Sequence, residues 1–196
     1  RQESDMDFLI ITKPGRIWMT RLMVTGIISM LGYRRHGTKI TDRICLSFYS
    51  TTEAMNFAKL QLQPSDPHFM FWTSQAVPLI NDRGTYEKFQ TENVWVTEQL
   101  PNAWQWNWQK RLIKPNKSLP SIKAFFETAF SQPIGDMLEG MARDRQLAKM
   151  EKNVNSKAKE GTTEVVITDE ILKFHEADRR QEYNEKFLLR LKQLGL

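Results

Sequence analysis

An α+β fold is predicted, with a small mixed sheet near the N-terminus and a largely helical part after it. Three features point there. Two stretches of strand character, Ser4 to Thr12 and Arg43 to Tyr49, flank a stretch of helical character. Pro14-Gly15 marks a turn after the first run, and Gly32 supplies a C-terminal helix cap before the second. From Gln63 to Gly161 no convincing period-two run occurs, and aromatic-rich helical segments succeed one another. The chain therefore divides into a sheet-bearing core over 1–62 and a mainly helical region over 63–196.

Composition narrows the class. At 196 residues, with 40% hydrophobic and 26% charged, the chain is globular and long enough to bury a core. The net charge of +5 suits an anionic partner such as a nucleotide without selecting one. Cys45 is the single cysteine, so an internal disulfide is excluded and a reducing compartment is expected. The longest apolar stretch, Ile17 to Leu31, is interrupted by Arg21, Thr25 and Ser29, so no membrane span is expected. A cytoplasmic protein without a membrane partner is the reading.

The first strand is followed by a helix over 16–31, apolar over most of its circumference and therefore expected to be buried. Arg34 to Lys39 form a basic loop, with Arg43 just beyond it; it is either a phosphate-contacting loop or a solvated one. Thr51 or Thr52 can cap a short helix through Glu53, Met55 and Phe57. Helical segments then follow around 69–79, 85–89 and 93–100. Trp104, Trp106 and Trp108 would share one face if extended, beside Lys110, Arg111 and Lys114. They either stack single-stranded nucleic acid or clamp a connecting arm onto the helices, and the arm is favoured. A long helix runs from Pro120 to about Lys152, divided near Pro133 and Gly135. A flexible, Lys-rich loop is expected near 153–161, then a strand-like run from Thr163 to Ile167. Thr168, with Asp169 and Glu170 behind it, reads as the cap of a final helix whose C-terminal half docks through Phe187, Leu191 and Leu194.

The chemistry concentrates at the start of the chain. Asp5 and Asp7 stand two apart at the mouth of an apolar strand, so both project from one face. Adjacent acids repel unless a cation lies between them, and a hard divalent ion such as Mg²⁺ is the usual one. The structural alternative is a solvated strand entrance or a turn cap. Arg16 and Arg21 follow in the next helix, where guanidinium groups can hold phosphate or salt-bridge the strand end.

Ser4-Asp5-Met6-Asp7-Phe8, with Leu9-Ile10-Ile11 after it, resembles the metal-binding segment of the DNA polymerase beta-type nucleotidyltransferases. The continuation Thr12-Lys13-Pro14-Gly15-Arg16-Ile17-Trp18 is similar to a group of little-characterised bacterial nucleotidyltransferase-like proteins. The resemblance implies a sheet of nucleotidyltransferase type. It also implies Mg²⁺ (or Mn²⁺) on Asp5 and Asp7, with Ser4 beside a bound nucleoside triphosphate. The family's Gly-Ser pair has no counterpart ahead of Ser4, and the chain opens on Arg1, so the core is expected to be partial at its N-terminus. A third carboxylate is expected on a neighbouring strand; Ile44 to Tyr49 carries none, and Asp42 lies just ahead of it, followed by Arg43. His175, Asp178 and Arg179 are accessory candidates, on the expectation that the final helix returns its polar face to the site.

Two functions follow from different classes. One is transfer of a nucleotidyl group from a nucleoside triphosphate to an unknown hydroxyl acceptor. The other is a nucleotidyltransferase fold that no longer catalyses and acts as a nucleotide-binding or regulatory module. A single-stranded nucleic-acid binder is the weaker third. No P-loop, CxxC pair, HExxH or dinucleotide fingerprint is present.

Overall fold

The computed structural model describes residues 4–63, 65–105, 107–114, 119–153, 157–176 and 178–195. Among them the order is β1 (Met6–Thr12), α1 (Ile17–Met30), β2 (Ile44–Thr51), α2 (Pro67–Ser74), α3 (Thr85–Glu92), α4 (Trp95–Gln99), α5 (Leu119–Ala129), α6 (Ile134–Glu151), β3 (Val165–Ile167), β4 (Ile171–Phe174) and α7 (Arg180–Gln193). This is a mixed α+β chain with one four-stranded sheet of order β1-β2-β4-β3. It divides into two units: Arg1–Ala54 with Pro115–Glu176, and Met55–Lys114 with Ala177–Leu196. Each unit is thus assembled from two separate stretches of chain.

In the first unit, β1 and β2 run parallel with α1 as their crossover. The β3–β4 hairpin adds antiparallel to the far side of β2. The pairing passes from Asp7↔Cys45 to Leu9↔Phe48, so β2 carries one extra residue while β1 alternates regularly. Ile10 lies opposite Tyr49, and Tyr49 opposite Leu172. This face, with Phe174, forms the core against Ile17, Trp18 and Met19 of α1 and Ala142 of α6. Asp5, Asp7, Leu9 and Ile11 therefore project from the opposite face.

Helix α1 ends where Gly32 takes a left-handed backbone, as its sequence predicts. Its burial is less complete than expected. Ile17, Trp18 and Met19 are buried, whereas Leu22, Ile27 and Met30 are exposed. The sheet and α6 take one side of the helix, and apolar composition alone does not supply cover for the rest.

Helices α5 and α6 meet at Pro133, as predicted for the long helical stretch. Gly135 is required at that corner. A Cβ there would lie 2.0 Å from the Phe130 carbonyl oxygen and 2.7 Å from Arg16 Nη2.

Two expectations are corrected. The short helix through Glu53, Met55 and Phe57 does not form. Thr51 remains in β2, with its hydroxyl on the Glu170 carboxylate, and only a 3-10 turn at Ala58–Leu60 follows. The final helix does not begin at Thr168. Thr168 Oγ1 accepts from the backbone N–H groups of Glu170 and Ile171, so the same polar signature closes a hairpin. Ile171 to Phe174 then pair with β2 and β3, because alternate residues bury against the sheet core. Of the loop expected at 153–161, residues 154–156 lie outside the described ones. Lys157–Lys159 form a 3-10 turn in which the Lys157 N–H donates to Glu176.

The second unit is built on aromatic residues. Phe57 meets Phe89 edge-on at 5.6 Å, Phe69 stacks on Trp72 at 5.8 Å, and Tyr86 meets Trp108 edge-on at 5.0 Å. Burial pushes the Tyr86 hydroxyl up to about 12, and its proton is donated to the Ala76 carbonyl. Asn93, fully buried, donates to the Met55 and Phe89 carbonyls and accepts from the Phe57 N–H and the Trp95 indole. Every polar atom of that side chain is used. Of the three indoles that would share a face if extended, Trp104 has a left-handed backbone (φ 62°) and Trp108 is buried, in keeping with the favoured arm, while Trp106 lies outside the described residues. The C-terminal half of α7 has less cover than expected: Phe187 and Leu194 are exposed. No helix among the described residues is long and apolar enough to cross a membrane.

Candidate functional site

Topology decides what stands beside Asp5 and Asp7. A parallel β1–α1–β2 unit returns the chain to the start of β1, so the loop after α1 and the first residues of β2 reach the acids. Met6 N–H donates to the Arg43 carbonyl and Asp42 N–H to the Ser4 carbonyl, fastening the two strand entrances together. The Asp5 and Asp7 carboxylates and the Cys45 thiol have ligand atoms that all lie within 4.8 Å of one another. Cys45 occupies the register position opposite Asp7.

A fixed cation is already present. Arg35 Nη1 lies 2.7 Å from Asp5 Oδ2 and donates more weakly to Cys45 Sγ at 3.9 Å. Behind it, the Cys45 thiol donates to Ser47 Oγ at 3.3 Å, and Ser47 Oγ stands 3.3 Å from His175 Nε2. Burial pushes the Cys45 thiol up; Ser47 opposes this, and the Asp7 and Asp5 charges add to it. The thiol is therefore held in its neutral form at physiological pH, which slows its reaction as a nucleophile. Alkylation of Cys45 by iodoacetamide at pH 7 is expected to be slower than that of a free thiol. Asp7→Asn, by removing a neighbouring negative charge, should accelerate it, as read by mass spectrometry.

The other candidates are placed as follows. Ser4 is exposed at the strand entrance. Arg16 follows the C-terminal end of β1, whereas Asp5 precedes its N-terminal end. A seven-residue strand spans about 23 Å, so the two stand at opposite ends of it. Arg16 instead pairs with Asp136 at 2.8 Å and donates to the Gly15 carbonyl. Arg21 lies on the helix-covered face, its guanidinium 4.5 Å over the Phe174 ring and bonded to Gln146. Burial holds it below its ordinary range. Asp42 has a left-handed backbone (φ 56°) and is not among the clustered ligand atoms of the described residues; Arg43 donates to the Gly32 carbonyl at the end of α1.

His175 directly follows β4 rather than sitting on a helix, so the proposed His175–Asp178 pairing on one helical face is corrected. Its place beside Ser47 comes from strand pairing. Asp178 and Arg179 belong to the second unit and precede α7. Asp178 pairs with Arg180 at 2.6 Å, and Arg179 pairs with Glu182 at 2.9 Å.

Sequence reasoning singled out Arg35 only within a basic loop offered as phosphate-contacting or solvated, and missed Cys45 and Ser47 as neighbours of the acids. The signal was present: a basic loop immediately ahead of a strand that pairs parallel to the acidic one.

Two adjacent carboxylates fit a hard divalent ion, which typically takes one or two protein carboxylates and completes its shell with phosphate and water. The thiol does not fit as a magnesium ligand, since sulfur donors suit softer ions. No protein-family model, curated protein or solved structure matches this chain.

Proposed function

We propose that this chain is a nucleotidyltransferase-like protein that binds a nucleoside triphosphate with Mg²⁺ through Asp5 and Asp7. The observation that carries the reading is the pair of acids clustered at the entrance of β1, beside the start of a parallel partner strand. Bound there, the cation would neutralise charge on the phosphates as an acceptor hydroxyl displaces pyrophosphate. Arg35, held by Asp5, supplies a guanidinium able to pair with phosphate oxygens. Ser4, exposed beside them, offers a hydroxyl.

A second reading is favoured by one residue. Nucleotidyl transfer needs an acceptor for the hydroxyl proton, and the position opposite Asp7 holds a neutral thiol rather than a carboxylate. This supports a binding or regulatory module that holds nucleotide without turning it over.

A thermal-shift titration with each nucleoside triphosphate, with and without Mg²⁺ or Mn²⁺, tests the site. Ligand about a hundredfold above its Kd is expected to stabilise by about 2.7 kcal/mol. The Asp5→Ala, Asp7→Ala double variant is expected to lose the metal-dependent part. An unchanged shift in that variant would remove the site from consideration. Pyrophosphate release then separates the readings: binding without release assigns the module, and release assigns the enzyme.

A further inference from the structure

Arg35 reaches Asp5 from a fixed backbone. Its N–H donates to the Ile44 carbonyl at 3.0 Å, and the Ile44 N–H donates to the Tyr33 carbonyl at 2.8 Å. Arg34 thus pairs parallel with Ile44 at the start of β2. Alternation along that segment sends Arg34 and Arg35 to opposite faces. The Arg34 charge is felt by Arg21 and Tyr49 on the helix-covered face, whereas Arg35 meets Asp5 and Cys45. Two guanidinium groups one residue apart serve different sides of the sheet.

The contact itself is made by a group that can move. The Arg35 side chain is 45% exposed, against 17% for Asp5. Nη1 supplies both contacts, 2.7 Å to Asp5 Oδ2 and 3.9 Å to Cys45 Sγ. Asp5, Asp7 and Cys45 have acceptor atoms within 4.8 Å of one another, so the guanidinium holds a place that a metal cation would share. A carboxylate oxygen bonded at 2.7 Å is committed, and the positive charge on it repels a second. A partly exposed ion pair is nevertheless weak, so a doubly charged ion can replace it.

We propose that Arg35 couples the cation to the nucleotide: its guanidinium competes with a divalent ion for Asp5 and, once displaced, pairs with the phosphates. This rests on the reading of Asp5 and Asp7 as the cation site for a nucleoside triphosphate. A bare ion has to break the Arg35–Asp5 pair while the guanidinium gains only solvent. Beside a triphosphate, the same guanidinium exchanges a carboxylate for phosphate oxygens, which it can meet through two parallel N–H bonds. The pair therefore disfavours the ion alone and favours the ion together with nucleotide. By linkage, each raises the affinity of the other by the same factor. The backbone bonds at Ile44 confine the change to rotation of one side chain, so no loop has to refold.

Two titrations of the whole chain test it. Bare Mn²⁺ binding is followed by loss of the free-ion electron paramagnetic resonance signal. Calorimetry follows the preformed Mn²⁺ complexes of non-hydrolysable analogues of each common nucleoside triphosphate. Arg35→Gln is expected to bind bare Mn²⁺ about fivefold more tightly and the nucleotide complex about tenfold more weakly. Arg35→Lys keeps the charge but not the fork. It should bind bare Mn²⁺ within about twofold of the unaltered chain and still lose affinity for the complex. Arg34→Gln makes the same change in net charge on the other face and should leave both affinities as they were. Far-UV circular dichroism confirms that the variants fold. If the unaltered chain binds but Arg35→Gln moves both affinities the same way, or leaves either unchanged, the proposal is overturned and the cation site stands. Arg34→Gln reproducing the opposite shifts would overturn it equally. Binding of neither bare Mn²⁺ nor any complex, by the unaltered chain or by Arg35→Gln, would overturn the cation site and the proposal with it.

Discussion

Replacing Arg180 by Met is expected to destabilise the second unit by about 3–5 kcal/mol. The Arg180 side chain is 4% exposed and its partner Asp66 is fully buried, at 2.8 Å. The guanidinium also bonds Asp178 at 2.6 Å and the Leu60 carbonyl at 2.9 Å, and it lies 5.2 Å over the Phe69 ring. Asp66 is committed on its own side: Oδ1 accepts from the Phe69 N–H, capping α2, and Oδ2 accepts from Leu62 N–H. Methionine would fill much of the volume but leave two carboxylates without their cation. The cost lies in the stranded charges rather than in the lost attraction. A double-mutant cycle with Asp66→Asn tests this. The double variant should be less destabilised than the sum of the single ones, because the second change removes one stranded charge. Urea unfolding gives the magnitude, and hydrogen exchange at Leu62 and Phe69 should show the loss locally. Strict additivity would mean that the three groups do not act as a network.

The same network shows where sequence reading stops. Asp178 and Arg179 looked like accessory site residues because charge spacing on a helix reads alike in a catalytic face and in a helix anchored by an ion pair. Separating them needs the partners, and Asp66 is distant in sequence. The acids, the first crossover helix, the break at Pro133 and the aromatic helices were legible because each rests on local spacing or turn chemistry. The β3–β4 hairpin was half legible: Val165 to Ile167 read as a strand, while Ile171 to Phe174 did not. Four residues are too few to settle a period, and Thr168 offers its hydroxyl to a hairpin turn as readily as to a helix start. At the candidate site, Cys45 opposite Asp7 follows from register, which the bulge in β2 alters and which no single-sequence pattern encodes.

A second large effect is expected at Glu139, where Leu should cost the first unit about 3–5 kcal/mol, as two lost hydrogen bonds to a charged group. Helix α1 begins without a capping side chain at Arg16 and without an acid in its first turn. Its opening amides are instead served from α6: Glu139 Oε1 accepts from Trp18 N–H at 2.9 Å and Oε2 from Met19 N–H at 2.8 Å. A carboxylate at a helix N-terminus also meets the positive end of the macrodipole. On the same stripe of α6, Gln146 donates to the Trp18 carbonyl at 2.8 Å, so the two side chains hold both backbone groups of one residue. Leucine would leave two buried N–H groups without acceptors. Glutamine keeps one carbonyl oxygen and should cost about half as much, which separates lost hydrogen bonding from lost packing. Urea unfolding followed by tryptophan fluorescence reads both variants, since Trp18 is fully packed and donates its indole N–H to Asp169 at 2.8 Å. Equal losses for Leu and Gln would place the effect in the charge rather than in the acceptors. The consequence reaches the acids, because α1 carries the chain to the loop from which Arg35 meets Asp5. A loosened α1 should therefore weaken the metal-dependent nucleotide response proposed for the Asp5–Asp7 pair.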